Sequence, residues 1–195
     1  MPISIAELDA HFEKLGYKAT RPDNAKQATT HRGLRFTTVN YLNTEKEKSV
    51  FLSLFLAPDG DYLEIVAPSA YNVRECRNKG PVFAALLEIT FKTRLQNFEY
   101  DSADGEVRVA TDVVINDGTI TCSQLDAMIG GIIRVLERFH GVIAHVIETG
   151  KIDMSLQCEP TAGRDVETET ADLVAKLGGL DGLRKLVESQ GQGQS

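Results

Sequence analysis

A chain of 195 residues with 28 acidic and 21 basic side chains carries a formal charge of −7. That balance disfavours a nucleic-acid groove, which needs a basic stripe to displace counterions from phosphates. With 42% hydrophobic and 25% charged residues, the composition is that of a globular protein long enough to bury a core without a disulfide or a metal.

The first helix is expected behind a capping box formed by Ser4 and Glu7, with Ile3 stapled to Leu8. Ile5, Leu8, Phe12 and Leu15 make its apolar face, and Gly16 stops it. Residues 17–32 are polar, contain Pro22 and read as a loop. Strands follow at 34–42, 50–57 and 62–67, separated by a charged turn at 44–48 and by Pro58-Asp59-Gly60. Residues 68–80 read as a loop with a helical turn near 72–77. Pro81 opens a second helix that runs to about Leu95, with Phe83, Leu86, Leu87, Thr90 and Phe91 at helical spacing. A hairpin of 98–101 and 106–115 turns at Ala103-Asp104-Gly105, with Val107, Val109, Val113 and Ile115 on one face. Thr121 and Gln124 cap a third helix, stapled by Ile120 and Leu125 and followed at spacings of three and four to Val146, where Gly141 is expected to loosen its end. The tail from 151 to 195 recovers leucines at Leu173, Leu177 and Leu180, is split by Gly178-Gly179, and ends in a low-complexity run expected to be disordered. The expected architecture is α+β: an antiparallel sheet packed by helices, in the order α-β-β-β-α-β-β-α over 1–150, plus a helical tail over 151–195.

The three cysteines, Cys76, Cys122 and Cys158, are odd in number and far apart. This speaks against a disulfide framework and for a cytoplasmic home. The N-terminus lacks the basic and apolar regions of a signal peptide. No apolar run approaches the ~20 residues of a membrane helix.

Catalytic and metal chemistry finds little support. His140 and His145 are five residues apart, which turns them ~140° around a helix, so they cannot act as paired ligands. They read as surface histidines near a helix end, and neither a metal nor a cofactor is expected. Cys122 follows the Thr121 cap, where a helix N-terminus favours a thiolate, but no sequence pattern supplies its base. A small residue filling the first helical turn explains it more simply. Gly130-Gly131 lies inside a helix pattern and reads as close helix-to-sheet approach. Asp101-x-x-Asp104-Gly105-Glu106 lacks the alternating ligands of a calcium loop and reads as a hairpin turn.

The informative anomaly is 50–57. Val50, Leu52, Leu54 and Leu56 share one face, while Phe51 and Phe55 line the other. A sheet covered by helices on one side hides only one of these sets. The second set is covered by the tail, by a second copy or by a partner.

The stretches Ala84-Ala85-Leu86-Leu87-Glu88-Ile89-Thr90, Phe98-Glu99-Tyr100-Asp101 and Asp104-Gly105-Glu106-Val107-Arg108-Val109, with the long helix from Ile120 onward, resemble the YbjN family of bacterial sensory-transduction regulators. More broadly they resemble the type III secretion chaperone-like fold. The likeness covers roughly 31–148 and rests on pattern, not on an invariant motif. It implies a small sheet packed by helices, frequent dimers, and partner binding without catalysis. The chain is therefore expected to be a non-enzymatic protein-binding module, chaperone-like or regulatory, and a homodimer. Phe51, Phe55, Leu173, Leu177 and Leu180 are its candidate protein-binding residues. The rival expectation is a small-ligand or enzymatic domain with a pocket near Cys122 and His140.

Overall fold

The computed structural model describes residues 3–42, 48–116 and 118–158. The expected order is found: helix α1 (Ile5–Lys14), strands β1 (His31–Thr37), β2 (Ser49–Leu56) and β3 (Tyr62–Asn72), helix α2 (Gly80–Lys92), strands β4 (Asn97–Tyr100) and β5 (Glu106–Val114), and helix α3 (Cys122–Thr149). The five strands form one antiparallel sheet in the order β1-β2-β3-β5-β4. This is an α+β fold with a helix-packed sheet.

Both predicted capping boxes form. Ser4 accepts from the Glu7 N–H while the Glu7 carboxylate takes the Ser4 N–H, and Thr121 and Gln124 do the same for α3. Leu8 and Phe12 of α1, Leu125, Ile129 and Ile132 of α3, and Leu52, Leu54, Leu63 and Ile65 of the sheet make one core cluster. A second cluster joins Val82, Ala85 and Ile89 of α2 to Val135, Phe139 and Val142 of α3. The 28-residue α3 spans both clusters, so it ties α1 to α2 across the sheet.

Several boundaries differ from the sequence expectation, each for a visible reason. β1 starts at His31 and stops at Thr37; the Thr38 N–H still reaches the Lys48 carbonyl at 3.0 Å, and the two amides after it leave the sheet. The Glu137 carboxylate of α3 accepts the Val39 and Asn40 N–H groups at 2.6 and 2.7 Å. The supposed loop 17–32 is partly ordered against the sheet: Thr20 bridges Gly33, and Arg32 is buried, clamping Asp9 of α1 at 2.5 and 2.7 Å. β3 continues to Asn72 through an irregular register between Ala67 and Tyr71. There Ser69 takes a φ of 50° and gives its N–H to Glu106. The first part of the segment read as loop, 68–72, is thus strand, and within the expected turn near 72–77 the Cys76 N–H closes back on the Val73 carbonyl at 3.2 Å. α2 ends at Lys92, where the Thr93 hydroxyl turns back to the Thr90 carbonyl.

The glycines of α3 also change meaning. Gly141 does not loosen the helix, which continues to a left-handed cap at Gly150. It makes room for the short 3-10 turn Met154–Leu156 packed alongside. Gly131 does answer to close approach, but its neighbour is Gln96 in the α2–β4 connection and not the sheet.

Candidate protein-binding surface

Helix α2 is apolar nearly all round, and the structure decides which side is core. Val82, Ala85, Leu86 and Ile89 are buried. Leu87 and Phe91, four residues apart, face away and are 70% and 90% exposed. Helical spacing alone put Leu86, Leu87 and Phe91 in one series; the structure buries Leu86 and exposes the other two. The available signal was the excess of apolar residues itself, since a helix packed on one side needs only a stripe. Leu95, just past the helix end, adds a third large side chain at 55% exposure.

This face runs beside the free edge of the sheet. β4 pairs only with β5 among the described residues, so its outer backbone groups are open to another strand. A mostly apolar groove between α2 and β4 is lined by Phe83, Leu86, Leu87, Thr90, Phe98, Glu99 and Tyr100, and the Phe83 and Tyr100 rings meet at 4.8 Å. A contiguous apolar helix face, an apolar groove and an unpaired strand edge together favour association with another polypeptide.

The outer face of the sheet offers less apolar surface than expected. In β2, Val50, Leu52, Leu54 and Leu56 are buried as predicted, while Phe51 is 37% exposed and Phe55 is half-buried. Cross-strand neighbours supply part of their cover. The Phe51 ring lies over Gly33, where a Cβ would stand 2.7 Å from it, and the Arg35 guanidinium sits 5.8 Å from its centre. Phe55 meets the His31 ring at 5.0 Å. Farther along the face, Arg108 pairs with Glu99 at 2.6 Å and reaches Glu64 at 3.7 Å. The Glu99 partner is the larger cause of the upward shift in the Arg108 pKa. Leu173, Leu177 and Leu180 lie outside the described residues.

The rival pocket near Cys122 and His140 does not exist as one site. Both residues are on α3, and their 18-residue separation is about 27 Å along a helix. His140 is a half-buried residue and not a surface one. Its ring stacks on Tyr71 at 5.9 Å, meets Tyr41 edge-on at 5.4 Å, and its Nδ1 lies 3.3 Å from the Tyr71 hydroxyl. Burial lowers its pKa, with Glu137 acting in the opposite sense. Burial likewise pushes the Tyr41 phenol up to about 12 and Tyr71 well above its ordinary value. Both phenols therefore stay neutral, and the cluster is a packed aromatic joint between β3 and α3. Cys122 has a neighbour that sequence spacing could not reveal: His11 Nδ1 lies 3.0 Å from its sulfur. No group of three His, Cys, Asp or Glu side chains among the described residues is placed to hold a metal. No described helix is long and apolar enough to cross a membrane.

No protein-family model matches the sequence, and no curated protein matches it. Solved structures do. The fold resembles that of YbjN, a proposed transcription regulator from E. coli, with a TM-score of 0.51 at 16% identity over 73% of this chain and 93% of that one. Weaker likenesses are to the ExsC–ExsE complex and to the HopA1–SchA chaperone–effector complex. The first has a TM-score of 0.41 at 11% identity, over 81% of this chain and 98% of that one. The second has 0.42 at 10% identity, over 69% and 95%. The expected YbjN-like fold is thus found in the structure.

Proposed function

We propose that this YbjN-like chain is a non-enzymatic protein-binding module, chaperone-like or regulatory, that works in the cytoplasm as a homodimer. The observation that carries the proposal is the outward stripe of Leu87, Phe91 and Leu95 beside the open β4 edge. Burying a large apolar side chain is worth roughly 1.5–3 kcal/mol, so a few such residues supply a real driving force for association. A second copy suits this stripe because a two-fold axis sets each helix face against its equivalent.

With the α2 face occupied by a second copy, Phe51 and Phe55 on the far side of the sheet are left for a segment of a protein partner. The ion pairs of Arg108 with Glu64 and Glu99 frame that side with charge. The tail leucines Leu173, Leu177 and Leu180 compete with the partner for the same apolar surface.

The test is affinity capture of the tagged full-length chain from bacterial lysate, read by mass spectrometry. The wild type is compared with a Phe51→Ser/Phe55→Ser variant and with a chain ending at Cys158. One protein that the wild type retains, the double variant loses and the shortened chain retains more strongly is the expected result. Equal retention by all three contradicts the assignment of these residues.

A further inference from the structure

At the start of α3 a cysteine and a histidine from distant parts of the sequence form a dyad. Cys122 Sγ lies 3.0 Å from Nδ1 of His11, which sits in the last turn of α1. The other ring nitrogen, Nε2, is 3.0 Å from the Ile120 carbonyl oxygen. A carbonyl only accepts, so Nε2 carries the hydrogen and Nδ1 turns its lone pair toward the sulfur. The ring is held in place on both sides. Leu8 and Phe12 flank His11 in sequence and are buried in the core, and so is Ile120. A nucleophile, a base within reach and a third group orienting the base are the three parts an activated thiol requires. Cys122 is also the first residue of the 28-residue α3, so the dyad sits where α1 meets the start of that helix.

We propose that Cys122 is an oxidative-modification site, a thiol that His11 deprotonates and that a small hydroperoxide converts to a sulfenic acid. Cys122 is part-buried where α1 meets α3, which suits a small oxidant better than an extended substrate. His11 Nδ1 takes the proton from Sγ. The thiolate then attacks the terminal oxygen of the hydroperoxide, forming the S–O bond and breaking the O–O bond. Sulfur loses two electrons, and the departing oxygen gains them and takes the proton back from His11 as an alcohol, or as water when the oxidant is hydrogen peroxide. The products are Cys122 sulfenic acid and one molecule of alcohol or water.

Two further cysteines serve as references within the same molecule. Cys76 and Cys158 are part-buried as Cys122 is, and Cys76 directs its thiol at the Ile147 carbonyl. The full-length chain is treated with hydrogen peroxide in the presence of dimedone, and each cysteine is followed by mass spectrometry. Cys122 is expected to gain the sulfenic-acid tag at least about tenfold faster than Cys76 or Cys158. His11→Gln is expected to remove that advantage while leaving the rates at the other two cysteines unchanged. Equal rates at all three cysteines in the wild type overturn the proposal, as does an undiminished Cys122 rate in a His11→Gln chain folded by circular dichroism. Should that variant not fold, the wild-type ratio decides alone.

Discussion

Gly141 and Leu156 lie so close that a Cβ on the glycine would stand 2.8 Å from the leucine carbonyl oxygen. The contact docks the segment after α3 back along the helix, and it continues in the hydrogen bond from the Cys158 N–H to the Arg138 carbonyl at 2.9 Å. Gly141→Ala is therefore expected to detach residues 151–158, at an overpacking cost of about 1–3 kcal/mol. Gly130 offers the contrast, because a Cβ there meets only the tip of the Arg134 side chain. Gly130→Ala is expected to stabilise the chain by up to about 1 kcal/mol through helix propensity. Urea midpoints of the two variants check the opposite signs, and two shifts in the same direction contradict the assignment.

Glu137 fixes the exit from β1 by accepting two backbone N–H groups with one buried carboxylate. A glutamine at this position keeps a single acceptor oxygen and leaves one of the two amides without a partner. Glu137→Gln is expected to cost about 1–3 kcal/mol and to speed hydrogen exchange at Val39 and Asn40. Unchanged exchange at both amides would show that the loop is held by other contacts.

His140 gives the fold a pH dependence in the mildly acidic range. Burial against Tyr71 and Tyr41 lowers its pKa in the folded state, below the ordinary value of about 6.5. The unfolded chain then binds more protons than the folded one, so stability is full above about pH 6.5 and falls as pH drops through the lower folded value. Asp9 acts separately: its hydrogen bond to Arg32 holds it below the ordinary carboxylate range, so its contribution is lost only below about pH 4. Urea denaturation at pH 7.5 and 5.5 is expected to show a loss of stability in the wild type that His140→Gln abolishes. An equal loss in the variant would place the titrating group elsewhere.

The sequence carried the fold well where local rules govern it. The capping boxes at Ser4 and Thr121, the stop at Gly16 and the hairpin glycine Gly105 are short-range signals, and each stands where its chemistry requires. Gly105 has a φ of 80° with the Arg74 backbone packed against it. Features set by distant partners were not legible. The end of β1 depends on Glu137 some hundred residues later, and the base beside Cys122 comes from α1. The proposed binding surface was half legible. Phe51 and Phe55 do face outward, but alternation along one strand could not show that Gly33 and His31 cover part of them. Leu87 and Phe91 were visible as apolar residues at helical spacing. Which side of α2 they occupy depends on where α3 packs, and spacing along one helix does not encode that.

The α2 stripe carries the central claim, and light scattering on the purified full-length chain tests it most directly. At micromolar concentration the wild type is expected to have a mass near twice the 21.4 kDa of one chain. Leu87→Glu/Phe91→Glu, which places charge on two exposed positions without touching the core, is expected to fall to the mass of a single chain while keeping its circular dichroism spectrum. A wild type that remains at one chain mass across the concentration range, or a folded double variant that remains a dimer, contradicts the assignment of this face to a second copy.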